Sequence, residues 1–392
     1  MNEPAGYATP AAFRRALTDR LKALASGSRW PLPQLQRQIA YDRLLERLYL
    51  ADDQWIVKGA TALLARDLGV RSTIDVDLYR PQAAQTAEAQ LRAAAQHDIG
   101  DWFRFEIGPA QPVTAGTTSR LPVTAIIGAT VWVSFHIDLA GEDLRMTGRP
   151  DDVPPLARVL MPGVQQHGYR AYPLVDHIAD KLAAIFERHG TLRAPSTRYK
   201  DLVDLVAILT KISVQADAQQ QALESEAERR GLILPSQFDV PDHQLWDTGY
   251  RAEVRRSLLT MARTLDEATG IVRPFADPLL QRTAAGQWEP VTGRWSRQSS
   301  DFPGYSPQRR RLIGYGWCVR SPEPRLMRSR KSRTAGFGAP APKGRPGWQR
   351  GELASWHERA AFRARQSRRH PPRRGDRRSG SDARVPHAEG PA

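Results

Sequence analysis

The chain has 392 residues, with 57 Lys+Arg against 42 Asp+Glu for a formal net charge of +15, and 41% hydrophobic residues. This length leaves room for two or three domains with a sizeable core, and this apolar share excludes a wholly disordered chain. Its one cysteine, Cys318, excludes a disulfide framework and any multi-cysteine zinc site.

Helical period dominates residues 10–49. Thr9 is placed to cap a first helix with Pro10 at its first position, and Phe13, Leu17, Leu21 and Leu24 recur every three to four residues. A second helix is predicted over about 33–50. A short strand, Trp55-Ile56-Val57, a Lys58-Gly59 turn and a helix through Leu63 and Leu64 follow. Residues 73–79 read as a strand and 81–96 as a helix. Residues 102–107 alternate, with Trp102, Arg104 and Glu106 opposite Phe103, Phe105 and Ile107. Residues 121–139 predict a hairpin turning near Gly128-Ala129, and the prolines of 144–163 predict a loop or linker. From 173 to 286 the pattern predicts helices and no strand.

No basic, then apolar, leader opens the chain. The longest uncharged stretch, 121–137, is broken by Pro122, Gly128, three hydroxyl residues and His136, unlike a membrane span. A cytoplasmic protein is expected, with no membrane partner. Its organisation is read as an α/β domain with N-terminal helices over 1–155, a helical domain over 156–296, and a disordered Arg/Pro/Gly-rich tail over 297–392.

The tail carries all the net charge. Residues 1–300 hold 35 basic and 35 acidic side chains, whereas 301–392 hold 22 and 7. The tail also holds 11 Pro and 11 Gly and has no apolar period, so it cannot bury enough surface to offset its ordering entropy. Two readings stay open: an Arg-rich arm that grips nucleic-acid phosphates, or a segment without selected function, such as a G+C-rich region read past or out of frame.

Asp75 and Asp77 stand at i and i+2, alternating with Ile74, Val76 and Leu78. On a strand this puts both carboxylates on one face, about 7 Å apart, and the aliphatics in the core. Such a pair either holds hard divalent ions or is a solvent-facing edge. Just upstream, Lys58-Gly59-Ala60-Thr61 reads as a Gly turn into a helix, whose N–H groups and Thr hydroxyl suit an anion. A phosphate cradle beside a carboxylate pair is what nucleotidyl transfer needs. Asp138, on the same strand face as Ser134 and His136, is the candidate third carboxylate and general base. His136 reads as an ordinary strand residue, and Val131, Val133, Phe135 and Ile137 as the core face.

Lys181 falls within the stripe of Leu174, Ile178, Leu182 and Ile185. It either snorkels to solvent or enters a cleft to meet an anion such as triphosphate. If it serves phosphate, Lys181→Met is expected to keep or raise stability. In 198–205, Asp201 and Asp204 lie beside Leu202, Leu205 and Leu209, and Lys200 and Asp204 are spaced for an i, i+4 pair.

Together these pieces resemble the AbiEii/AbiGii nucleotidyltransferase toxin family, including its MenT-like members. Three blocks carry the likeness: Trp55-Ile56-Val57-Lys58-Gly59-Ala60-Thr61-Ala62-Leu63 with Arg71-Ser72-Thr73-Ile74-Asp75-Val76-Asp77-Leu78; Tyr172 to Lys181, ending Ile178-Ala179-Asp180-Lys181; and Arg198-Tyr199-Lys200-Asp201-Leu202-Val203-Asp204-Leu205. Ala60 stands where the family usually has a second Gly or a Ser. The likeness covers roughly 10–296.

The resemblance implies a polymerase-β-like α/β core followed by a helical domain. It implies Mg²⁺-dependent transfer from an NTP, with two ions, to an acceptor such as a tRNA 3′ end. It also implies a toxin countered by a cognate antitoxin. Carried over by position, Asp75 and Asp77 bind metal, with Asp138 added on the strand argument above. Lys58, Gly59, Ala60, Thr61, Arg71, Lys181, Arg198 and Lys200 hold nucleotide. Lys181 and Asp201 serve catalysis, and Asp204 orients Lys200 or Arg198. Two alternatives remain: a small-molecule, aminoglycoside-type nucleotidyltransferase, against which the Lys181 and Lys200-Asp201 blocks argue, and a non-catalytic nucleic-acid-binding protein that uses the tail.

Overall fold

The computed structural model describes residues 6–112, 118–141 and 144–296; the expectation for the tail, 297–392, lies outside them. Helix α1 (Pro10–Ser26) starts where Thr9 accepts a hydrogen bond from the Ala12 N–H, and α2 is Leu32–Ala51. Strand β1 (Ile56–Val57) leads into α3 (Gly59–Ala65), and then β2 (Asp75–Tyr79), α4 (Ala84–Ala95), β3 (Phe103–Ile107) and β4 (Gln111–Pro112) follow. A long hairpin, β5 (Ser119–Ile127) and β6 (Thr130–Ala140), precedes the short strands β7 (Asp151–Val153) and β8 (Tyr169–Ala171).

These strands form one mixed sheet in the order β3-β5-β6-β2-β1-β8-β7, with β4 also paired to β5. Strands β2 and β6 run parallel, as do β1 and β8. The sheet therefore takes its last strand from residues 169–171, past the 155 expected as the end of the α/β part. Its outer strand β3 is blunted on the open side: Arg47, Gln96 and Arg92 donate to the carbonyls of Phe103, Phe105 and Ile107. Carbonyls so occupied cannot pair with another chain.

The helical part holds α5 (Leu174–Phe186), a small hairpin of β9 (Arg188–His189) and β10 (Ala194–Pro195), and α6 (Tyr199–Leu209). After it come α7 (Ala216–Arg230), α8 (His243–Arg256), α9 (Leu265–Leu280) and a closing hairpin, β11 (Gln287–Glu289) and β12 (Arg294–Ser296). The β9–β10 hairpin is a departure from the strand-free reading of 173–286. Helix α6 is buried along its whole length from Asp201 to Leu209, as expected for a helix ringed by others. None of the described helices is long and apolar enough to cross a membrane.

Two large hydrophobic cores result, beside a small cluster of Ile56, Tyr79 and Tyr172. One lies on the sheet under α1, α2 and α4, with Phe13, Leu45, Leu91, Phe105 and Phe135 in it. The other gathers α5 to α9 and also takes Leu63, Leu68 and Val70 from the segment of α3. That shared segment ties β1, α3 and β2 to the helices. The Asp75–Asp77 face of the sheet is thereby set against α5 and α6.

Candidate active site

Strand β2 begins at Asp75, so Val76 and Leu78 are buried while Asp75 and Asp77 keep partial exposure on the opposite face. Ile74 lies before the strand and is 52% exposed, not in the core as the alternation suggested. Its carbonyl instead accepts from His136 N–H at 3.2 Å. Gly59 meets Asp77 head-on. Its φ is +56°, and a Cβ there would lie 1.8 Å from Asp77 Oδ2. Only a residue without a Cβ lets α3 start this close to the carboxylate. Lys58 precedes it: its backbone N–H donates to the Asp77 carbonyl at 2.8 Å, and its ammonium lies 4.5 Å from the centre of the Tyr172 ring.

Strand β6 brings Asp138 directly opposite Asp77 and His136 opposite Asp75. His136 Nδ1 is 3.4 Å from Asp75 Oδ1, and neither atom has a hydrogen-bond partner. Asp138 is gripped by Arg120 of β5, whose Nε and Nη2 each reach one carboxylate oxygen at 2.7 Å. Arg120 Nη2 also lies 4.0 Å from Asp75 Oδ2. A bulge sets this pairing. Near the turn Ile127 faces Thr130 and Ile126 faces Val131, but Ala125 faces Val133. Trp132 is the extra residue, and it takes the buried place expected of Val131, which is 53% exposed. Without the bulge the register would carry on to pair Asp138 with Ser119; with it, Asp138 faces Arg120.

The helices supply the opposing wall. Lys181 does not snorkel: its side chain is 4% exposed, and its ammonium donates to Asp201 at 2.8 Å and Asp204 at 2.7 Å. An ammonium has three protons, so one remains for the cleft. Arg71 takes both oxygens of Asp204, at 3.0 and 2.9 Å, and Arg198 Nε donates to Asp201 at 2.6 Å. The expected Lys200–Asp204 pair is not formed. Asp204 is 1% exposed with both oxygens engaged by Arg71 and Lys181, whereas Lys200 is exposed. Asp204 thus orients Lys181 and Arg71 rather than Lys200 or Arg198.

These groups share one cleft of ≈ 560 Å³, lined by Lys58, Gly59, Ala60, Arg71, Asp75, Asp77, Asp138, Lys181, Arg198, Lys200 and Asp201. Thr61 is not among them. It is fully buried, and its hydroxyl donates to the Asp75 carbonyl at 3.2 Å, so it braces the strand and is not free for phosphate. Sequence reasoning missed Arg120, Thr73, Asp180, His177, Tyr199 and Glu253, which also line the cleft. For Asp180 the signal was present, since it is the acidic residue of the Ile-Ala-Asp-Lys block. For Arg120 the only signal was a hairpin register that the bulge changes.

The electrostatics are those of a crowded anion pair faced by cations. Burial, and next the neighbouring Asp138, push the Asp77 carboxyl from 3.8 up to about 6. Lys58 is depressed mainly by its burial, against the pull of Asp180 and Asp77. Burial also depresses Lys181, but Asp201 and Asp204 outweigh it and hold the ammonium above its ordinary value. Asp204 in turn is lowered to about 2, its burial being outweighed by Lys181 and Arg71. His177 is driven well below its ordinary value by burial and by Lys181.

A divalent ion fits part of this set. Asp75 and Asp77 are hard oxygen donors on one strand face, and Asp75 Oδ1 is buried with no hydrogen-bond partner. Asp138 fits less well, because both its oxygens are taken by Arg120. Among the described residues no three His, Cys, Asp or Glu side chains converge as a metal cage.

The family model "Nucleotidyl transferase AbiEii toxin, Type IV TA system" matches residues 43–294. The chain belongs to that family. It is a nucleotidyltransferase of the toxin type, whose family pairs toxins with antitoxins, and the match spans both the sheet and the helical wall of the cleft. Among solved structures, JHP933 from Helicobacter pylori is similar at 16% identity with a TM-score of 0.36, covering 62% of this chain and 92% of that one. MenT4, a nucleotidyltransferase toxin from Mycobacterium tuberculosis H37Rv, is similar at 17% identity with a TM-score of 0.39, covering 69% and 98%. No curated protein matches the chain.

Proposed function

We propose that this toxin moves a nucleotide from an NTP to a hydroxyl of an RNA acceptor, a tRNA 3′ end, with Mg²⁺ held at Asp75 and Asp77. The acceptor hydroxyl gives its proton to solvent water as its oxygen bonds the α-phosphorus, and pyrophosphate leaves with the electrons of the broken P–O bond. Magnesium at the pair supplies Lewis-acid neutralisation of the phosphates when bound. Lys58, Lys181 and Arg198 face the outer phosphates. Gly59 lets α3 start against Asp77, Ala60 is small enough to let the phosphates approach, and Asp201 holds Lys181 and Arg198 in place. The single observation that carries this reading is the carboxylate pair on one face of β2, with Asp77 pressed against a glycine with no room for a Cβ, in a cleft that also holds the cations Lys58, Arg71, Lys181, Arg198 and Lys200. The same reading places the enzyme in the cytoplasm with a cognate antitoxin, and divides the chain into a sheet part, a helical part and a dispensable basic tail.

The test is incubation of purified protein with each labelled NTP, Mg²⁺ and total RNA, followed by a denaturing gel. Label is expected in a tRNA-sized band with one preferred NTP, and in none with Asp77→Ala. Label carried by a small-molecule fraction instead of RNA would replace the acceptor assignment.

A further inference from the structure

Asp138 has the position of a third metal ligand but not the freedom of one. It faces Asp77 across the parallel β2–β6 pair, yet Arg120 holds both its oxygens at 2.7 Å. A two-pronged, charge-assisted bond of this kind is among the strongest a carboxylate makes. The guanidinium also stands 4.0 Å from Asp75, so it occupies the side of the pair from which Asp138 could reach a shared ion. The bulge at Trp132 is what delivers Arg120 to this place. Arg120 is 40% exposed, so the pair is open to exchange and not locked in a core.

We propose that Arg120 is a positioning residue that withholds Asp138 from the metal. The ion is then held by two carboxylates only, and its shell is completed by the phosphates of the incoming nucleotide and by water. Magnesium sites with one or two carboxylates plus substrate phosphates behave in this way. The consequence is weak affinity for the free ion, so that metal and nucleotide enter together. This rests on the metal-dependent reading above.

The probe is Mn²⁺ alone, titrated into metal-free full-length protein and followed by the spin-resonance signal of the free ion. Arg120→Lys keeps the charge but loses the fork, leaving one Asp138 oxygen free. It is expected to bind Mn²⁺ on the order of tenfold more tightly than wild type, a change of about 1.4 kcal/mol. Arg120→Lys with Asp138→Asn is expected to fall back to within about twofold of wild type, because the gain belongs to Asp138. Thermal melts of the metal-free forms establish that each variant is folded, and Arg120→Gln serves if the lysine variant is not. Unchanged or weaker binding in the folded single variant overturns the inference, as does a gain that survives Asp138→Asn. If neither wild type nor any variant binds Mn²⁺, even with nucleotide present, the metal reading itself fails and this inference falls with it.

Discussion

At the scale of single residues, the site is built against stability. Asp77 holds a proton up to about pH 6 in the folded chain but only to 3.8 when free. Between those values the folded chain binds a proton that the unfolded chain has lost, so stability falls as pH rises from about 4 to about 6 and stays lower above. Asp42, buried under loop N–H groups and likewise pushed by burial to about 6, adds to the same slope. Asp77→Asn is therefore expected to raise metal-free stability at pH 7.5 by on the order of 1–2 kcal/mol and to flatten the decline. On the proposed metal-dependent reading it should also lower transfer by at least about 100-fold, since several kcal/mol of transition-state stabilisation would go with the metal. Melting midpoints between pH 4 and 8 in chelated buffer, with a transfer assay, check both. An unchanged pH profile would remove Asp77 as the crowded carboxylate. Lys181 behaves in the opposite way. A methionine there leaves Asp201 and Asp204 without the ammonium they share, so Lys181→Met is expected to destabilise by on the order of 3 kcal/mol. This reverses the expectation drawn from its place in an apolar stripe, and denaturant melts decide it. The stripe was legible; that its lysine had two buried acids waiting 20 and 23 residues later was not.

At the scale of elements, local period carried far. Alternation in β2 put Asp75 and Asp77 on one face, and the Gly59 turn, the Lys181 helix and the Arg198–Asp201 helix start all reach the same cleft. What failed did so where a distant partner outcompeted a near one. Thr61 gives its hydroxyl to the Asp75 carbonyl of the neighbouring strand. Asp204 bonds Arg71, 133 residues back, and not Lys200 on its own helix, because α6 is enclosed and only a buried partner can satisfy it. The bulge in the β5–β6 hairpin moved Trp132 inward and brought Arg120 into the site, and no composition signal marks a bulge. The same limit hid the tie between α2 and β3. Asp101, fully buried, accepts from Arg43 at 2.5 Å and from Arg47 at 3.0 and 2.7 Å, across 54 to 58 residues. Asp101→Ala leaves two buried guanidinium groups without it and is expected to cost about 3–5 kcal/mol. Because the triad lines no part of the cleft, folded Asp101→Ala protein at low temperature should keep wild-type transfer rates. Chemical denaturation and a rate measurement well below the melting point test the two halves separately.

At the scale of the whole molecule, the two large hydrophobic cores draw on described residues from near one end of the described chain to the other. The sheet core begins at Phe13, and the helical core ends with Trp288 and Trp295, which pack on Phe275 at ring distances of 5.1 and 4.9 Å. Every group of the candidate site lies between Lys58 and Glu253. The family match ends at 294, and the first 300 residues carry no net charge while the rest carry +15. A chain ending near residue 300 thus keeps every described residue of both cores and of the cleft, and has no net formal charge. It is expected to melt within about 2 °C of the full chain and to transfer nucleotide at the same maximal rate, since surface changes away from packing are nearly neutral. The basic segment could still act on the acceptor. Each phosphate it neutralised would add about 0.7 to 0.9 to the slope of log affinity against log salt. Acceptor RNA affinity measured from 50 to 300 mM salt for both lengths separates the outcomes. Equal slopes make residues 301–392 dispensable. A much flatter slope in the shorter chain, with transfer lost at higher salt, would make those 22 basic residues an RNA arm and overturn the prediction.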